Sequence, residues 1–504
     1  MSTTMPKHIF VLMLENRSFD HMLGFSGLSG TDAATGSHTT IEGLAGDECN
    51  VFGGTEYTVV RGADYAVPAD PGHEFPDVLT QLTGVHRYAA PYPPVDNSGF
   101  VDAFSHSGGA GANLGEVMRC YDTPRQLPVL YALAQEFAVC DHWFASLPGP
   151  TWPNRMFAHA ASSAGLDHSP STAEILEWET VDGFAPPNGT IYEALQAAGR
   201  SYHLYSGDEF PIVSALKGIE LTDVHRIDDL VAALANANTP FPYDYVFIEP
   251  SYDALHDYRN SSCQHPLADV RGGEALLKTV YEAIRNSSVW ESSMLVIAWD
   301  EHGGFFDHVS PPRAVAPGDT APGSKYNQYG FTFEQYGVRT PAIVVSPLVP
   351  RGTIDHRIYD HASIPKTVEV LFGLGPMTER DANANHLLSL LSLASTGDRP
   401  APPTRLPSPG QAPAVMAAAA PSPLAAIGAG AVPVTRPDAS VNRGVLPTFV
   451  HAAMRQDLLM RPDQKQAILA RVAGLETRAD AMAYMQDVQN RLRTGASGVR
   501  SALA

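Results

Sequence analysis

The sequence predicts an α/β fold with a central, mostly parallel sheet flanked by helices and a small helical appendage at the C-terminus. Three observations carry this. Apolar runs of strand length recur: "HIFVLML" (8–14), "YDYVFIEP" (243–250), "SMLVIAWD" (293–300) and "TPAIVVSP" (340–347). Runs that are apolar on both faces suit strands buried in a parallel sheet. Between the second and third lies "RGGEALLKTVYEAIRNSSVW", where Leu276, Leu277, Val280, Ala283 and Ile284 share one helical face, giving a strand, helix, strand order. Several runs also stop abruptly at acids, Glu15, Glu249 and Asp300. In open α/β sheets, functional groups gather outside the carboxyl ends of the strands.

The chain has 504 residues, 44% of them hydrophobic, enough to bury a large core. Stretches 25–75, 90–115 and 310–335 are rich in Gly, Pro, Ser and Asp and read as loops over the strand ends. We divide the chain into a main domain over 1–396, a Pro/Ala-rich linker or arm over 397–440, and a helical segment over 441–504. In the last of these, Ile468, Val472 and Leu475, then Met482, Met485, Gln489 and Leu492, approximate helical spacing. A net charge of -21 argues against nucleic acid as a partner. Cys49, Cys120, Cys140 and Cys263 show no CxxC spacing, which argues against a structural zinc site. No apolar run approaches the roughly 18 residues that span a bilayer. The N-terminal stretch reads as a mature first strand rather than an export signal.

Four polar clusters are candidates for chemistry. Glu15 and Asn16 end the first strand, where such a pair alone would be an ordinary turn and cap. In "SLPGPTWPNRMFAHAASS", Pro148, Gly149, Pro150 and Pro153 fix a tight turn that puts Thr151 near a helix N-terminus. Free N–H groups and a positive dipole end there stabilise a phosphate or an alkoxide, although a mere N-cap predicts the same local geometry. "AWDEHGGFFDHVSPP" packs Asp300, Glu301, His302, Asp307 and His308 into nine positions around two glycines. Carboxylates and imidazoles at a strand end are what a hard or borderline divalent cation needs. The fourth cluster is dispersed: His73, His265, and Asp360 with His361. A lone histidine of this kind is more often packed or capping than catalytic.

The segments "ENRSFDHMLG", "DPGHEF", "NSGFVDAF", "LPVLYALAQEFAVCDHWFASLPGPTWPNR", "QHPLADVRGGE", "DEHGGFFDHVSPP", "YGVRTPAIVVSPLV" and "YDHASI" occur in this order. They resemble the bacterial phosphoesterase family that contains non-specific phospholipases C and an acid phosphatase branch, over residues 8 to 375. That family is similar to the alkaline-phosphatase-like superfamily, so the resemblance implies an alkaline-phosphatase-like sandwich over the 1–396 catalytic domain. It also implies metal-assisted phosphoryl transfer to a hydroxyl. Carried onto matching positions, Glu15, Asn16, Asp300, Glu301 and the Thr151 oxygen would hold a divalent ion, with Ca, Mg, Mn, Zn and Fe all compatible. Thr151 would be the nucleophile and pass through a phosphothreonine. His73, His265 and His203 (in "SYHLYSGD") would surround the phosphoryl group, with His265 the expected acid for the leaving alkoxide. His302, His308 and His361 would support the site from behind.

The implied activity is hydrolysis of phosphodiesters, phospholipids among them, to diacylglycerol and a phosphorylated headgroup. Contact with a membrane surface would then be transient. A phosphomonoesterase with the same site is the nearest alternative, and a non-catalytic binding protein the remote one. Choline recognition would want an aromatic cage. Trp143, Trp152, Phe305 and Phe306 flank the motifs, but aromatics beside a sheet are usually core.

Overall fold

The computed structural model describes residues 5–108, 113–178, 183–320, 323–409 and 434–502. Ten strands form its main sheet: β1 (His8–Leu14), β2 (Ser29–Asp32), β3 (His38–Thr40), β4 (Ala138–Cys140), β5 (Tyr202–Ser206), β6 (Val224–Arg226), β7 (Tyr245–Glu249), β8 (Ser293–Trp299), β9 (Ala342–Val345) and β10 (Thr353–Asp355). Their spatial order is β6-β5-β7-β1-β8-β9-β4-β10-β2-β3. β1 lies fourth in that order, between β7 and β8 and parallel to both. The register sets Leu14 opposite Trp299, so Glu15 and Asp300 emerge side by side.

One expectation is corrected. The 340–347 run does not join the parallel set: β9 is antiparallel to both β8 and β4. β9 therefore begins at the end of the sheet where β8 finishes. An apolar run carries no direction, so its sequence could not report this.

Alternation along the strands splits the core in two. Ile9, Val11 and Met13 face one side with Phe247, Val296 and Val344, while Phe10, Leu12 and Leu14 face the other. Helix α1 (Thr151–Ala160) adds Met156 and Ala158 to the first face. Helix α2 (Val270–Arg285) covers the second with Leu276, Leu277, Val280, Tyr281 and Ile284. A third cluster, with Phe75, Phe100, Phe306, Phe331 and Phe333, lies under the Gly- and Pro-rich loops.

At the C-terminus, helices α3 (Leu446–Met460), α4 (Lys465–Ala473) and α5 (Arg478–Ala502) follow. Phe449, Val450 and Tyr484 belong to the same apolar cluster as β1. Of the 397–440 stretch, residues 410–433 lie outside the described residues. The part before them is fastened to α2: Tyr281 donates to the Pro403 carbonyl at 2.7 Å, and the Leu406 N–H donates to Glu282 at 2.8 Å.

His159, on α1, is buried with its Nδ1 2.9 Å from the Tyr192 hydroxyl. Burial, with Arg155 adding to it, pushes its pKa from 6.5 down to about 3. Between those values the unfolded chain binds a proton that the folded chain refuses. The stability from this group is therefore complete above pH 6.5 and is lost as pH falls. At pH 5 the loss is about 2 kcal/mol. Denaturant unfolding at pH 7 and pH 5 should show it, and His159→Gln should shrink the difference between the two. An equally steep difference in that variant would rule His159 out as its source.

Candidate active site

The site is assembled where β1 and β8 end. Glu15 and Asn16 follow β1, and Asp300 and Glu301 follow β8; all four are fully buried. Asn16 takes a left-handed backbone (φ 62°). Its N–H donates to Asp300 Oδ1 at 3.2 Å, and its side-chain Nδ2 donates to Thr151 Oγ1 at 3.2 Å. Gly303 is needed beside it, because a Cβ there would come within 2.3 Å of the Asn16 carbonyl oxygen. The two strand-end turns are thus interlocked.

Thr151 is the first residue of α1, after Pro150 in an extended conformation. The turn before it is stitched by Asn154, whose Nδ2 donates to the Gly149 carbonyl at 2.8 Å and the Pro150 carbonyl at 3.0 Å. One helical turn beyond Thr151, Arg155 donates from Nε to Asp300 Oδ2 at 2.8 Å and from Nη2 to the Leu14 carbonyl at 2.9 Å. Arg155 is a site residue that motif reading did not single out. Its signal was the i, i+4 spacing from Thr151, which puts both on one helix face.

The electrostatics of this cluster are unbalanced. Glu15, Asp300 and Glu301 present three buried carboxylates to one buried guanidinium, Arg155. Burial first, then the Asp300 carboxylate, pushes Glu15 well above the usual range. Asp300 is raised too, by burial and Glu301, against the pull of Arg155. Both oxygens of Glu15, Oδ1 of Asn16 and Oε1 of Glu301 are buried without a hydrogen-bond partner. Buried polar atoms are seldom left so, and buried charge is paired or coordinates a metal. These residues therefore fit a divalent cation in charge and, with Thr151 Oγ1 beside them, in oxygen chemistry.

A second acidic group lies among the described residues: Asp20, Asp307 and His308 bring ligand atoms within 4.8 Å of one another. This group is satisfied from within. Arg339 bonds Asp20 Oδ1 at 2.9 Å and Asp307 Oδ1 at 3.0 Å, and His308 Nδ1 meets Asp20 Oδ2 at 2.6 Å. The Asp20 N–H donates to Asp307 Oδ2 at 3.0 Å, so all four carboxylate oxygens are partnered.

The histidines separate. His73 and His265 meet edge to face, 5.8 Å between ring centres. His265 stacks on Tyr258 at 3.6 Å, its Nε2 lies 3.6 Å from Asp70, and its Nδ1 accepts from the Leu267 N–H at 3.3 Å. Burial first, then charged His73, Arg17 and Arg443, lowers His265 well below 6.5. For His73, burial is opposed and overcome by Glu301, Asp70, Glu74 and Asp77, which raise it to about 9. His361 Nε2 lies 2.5 Å from the Asp300 carbonyl, and its Nδ1 accepts from Trp143. His302 Nε2 meets Gln81 at 2.7 Å.

His203 is not brought to this group. It stands on β5 opposite Val246, three residues short of the strand end, with Nε2 2.9 Å from His225 and its ring stacked on Tyr243. Glu249 reaches the strand end but accepts from the N–H groups of Ile212 and Val213. Trp143, Trp152, Phe305 and Phe306 are buried core side chains.

The family model of the phosphoesterase family matches residues 6–375. Non-specific phospholipase C6 of Arabidopsis thaliana is 35% identical over 409 residues, covering 77% of this chain and 73% of its own length. Phospholipase C B of Mycobacterium tuberculosis is 29% identical over 432 residues, covering 77% and 78%. Among solved structures, an alkaline phosphatase superfamily protein from Vibrio parahaemolyticus aligns over 52% of this chain and 65% of its own, with 16% identity and a TM-score of 0.33. From the extent of the family match and the identity to its relatives, the chain belongs to the phosphoesterase family and is a hydrolase of phosphoester bonds.

Proposed function

We propose that this hydrolase is a metal-dependent phosphodiesterase of the phospholipase C type, with Thr151 as its nucleophile. The observation that carries the reading is the set of unpartnered buried oxygens on Glu15, Asn16 and Glu301 around the Asn16–Thr151 hydrogen bond. With Asp300, these residues would hold the ion. A divalent cation there would lower the pKa of the threonine hydroxyl and screen the charge of the incoming phosphate. Asn16 Nδ2 orients Thr151 Oγ1, and the first N–H groups of α1 offer donors to the phosphoryl oxygens. Attack by Oγ1 on phosphorus displaces the glycerol-side alkoxide and forms phosphothreonine; water then cleaves that ester and frees Thr151.

Histidine roles follow from their surroundings. Because Leu267 occupies Nδ1 of His265, its proton sits on Nε2 and serves as a neutral hydrogen-bond donor. His73 joins His265 as a candidate for the leaving-group proton: the two rings meet edge to face, and Glu301 first, then Asp70, Glu74 and Asp77, favour the charged form of His73.

Phosphatidylcholine, bis-p-nitrophenyl phosphate and p-nitrophenyl phosphate, assayed with and without a chelator, test the proposal. Diesters should be preferred, with activity lost on chelation and restored by one divalent metal. A strong preference for the monoester would replace this reading with the phosphatase one. Activity indifferent to chelation would remove the metal.

A further inference from the structure

A cavity of about 640 Å³ opens beside the histidine pair. Its lining includes Asp70, Asp257, Asp269, Arg259, Arg436 and Arg443. Asp70 Oδ1 is 3.6 Å from His265 Nε2, so the cavity and the candidate active site share a wall.

The charges on that wall are unequal. Asp257 accepts from Arg436 Nε at 2.9 Å and Nη2 at 2.6 Å, and from Arg478 Nη1 at 2.6 Å. Asp269 is matched by Arg271, with Nε at 2.9 Å and Nη2 at 2.6 Å. These two acids are neutralised. Arg259 and Arg443 are exposed, and neither guanidinium has a hydrogen bond or ion pair among the described residues. With Asp70 the remaining acid on the wall and drawn electrostatically to Arg443, the pair leaves this cavity an excess of positive charge in a chain of net charge -21.

Arg443 is held there by its neighbour. Gly444 takes φ +57°, and a Cβ on it would come within 2.4 Å of the Tyr258 hydroxyl oxygen. Tyr258 in turn stacks on His265 with ring planes 8° apart. The segment before α3 is thereby docked onto the histidine that faces the reaction.

We propose that Arg443 and Arg259 form a subsite for a second phosphate group, carried by the same substrate whose diester is presented to Thr151. The inference rests on the diesterase reading above and names a class of substrate within it: diesters whose headgroup alcohol, the one that keeps the phosphorus, bears a further phosphomonoester. Guanidinium forks suit phosphate oxygens, and the apolar wall of Val67, Pro68 and Leu267 accommodates the carbons between the two phosphates.

Calorimetric titration of the full chain, supplied with divalent metal, tests this without turnover. The probes are inositol 1-phosphate and inositol 1,4-bisphosphate. The bisphosphate should bind about tenfold tighter or better, and Arg443→Ala should bring the two within about twofold. Arg443→Lys should fall between. Equal binding by the wild type, or an unchanged preference in an Arg443→Ala chain with wild-type thermal unfolding, would overturn the subsite. If that variant fails to fold, Arg259→Ala gives the same readout. Inorganic phosphate titrated into the inositol 1-phosphate complex separates a free second anion from a tethered one. Binding as tight as the bisphosphate gains would overturn the claim that the substrate carries it. A chain that keeps the bisphosphate preference yet fails to cleave bis-p-nitrophenyl phosphate would defeat the diesterase reading and leave the subsite standing.

Discussion

Replacing Thr151 with alanine is expected to lower diester turnover by roughly 10⁴-fold or more while leaving the fold intact. The asymmetry follows from its position. Thr151 opens α1 without capping it, and its hydroxyl has one side-chain partner, the Asn16 amide. Alanine loses that bond and nothing else of consequence at a first helical position, so thermal unfolding should move little. In the proposed mechanism, turnover loses the atom that attacks phosphorus. Thr151→Ser keeps that atom and should stay within about tenfold of wild type, the missing methyl costing only positioning. Acid quenching during turnover, followed by mass spectrometry of the peptide containing Thr151, should find a phosphate-sized increment in wild type and serine forms. Full activity in a folded Thr151→Ala chain would end the covalent proposal.

The second large effect concerns stability. Arg339→Met should destabilise the protein by about 3 to 5 kcal/mol, read as a fall in denaturant midpoint or as loss of soluble protein. Arg339 is fully buried between Asp20 and Asp307, and it also donates to the Glu42 carbonyl at 2.9 Å and the Asp141 carbonyl at 3.0 Å. Removing it leaves Asp307 without its cation and Asp20 with His308 alone. Adding Asp20→Asn and Asp307→Asn to the same chain should recover part of the loss, because the uncompensated charges go with them. If Arg339→Met were as stable as wild type, the group would not be the self-neutralised network described above.

How far the sequence revealed this molecule depended on the kind of signal. β1, β7 and β8 were legible as long apolar runs, and α2 as a helical stripe. β4 and β10 have three residues each, too few for any periodicity to show. The reversal of β9 is set by where its connecting loop lies, a tertiary fact. Glu15, Asn16, Asp300 and Glu301 were readable because they sit one step past strands whose register brings them together. His203 misled for the same reason in reverse: its residue type is suggestive, but its place within a strand keeps it from the strand ends. Tyr258 and Arg443 gave no local signal, since each matters only through a neighbour remote in sequence.

The loop from Asp253 to Gln264 holds Asp253, Asp257, Tyr258 and Gln264, none of them glycine, at positive φ. Such conformations cost energy and persist where surrounding contacts impose them. Both arginines that pin Asp257 among the described residues, Arg436 and Arg478, lie beyond residue 375, where the family match ends. The end of the family match is therefore not the end of mechanical support. In this chain, a change in the C-terminal region can loosen a histidine more than a hundred residues earlier without altering a single signature motif. Comparison of motifs alone would score such a protein as intact.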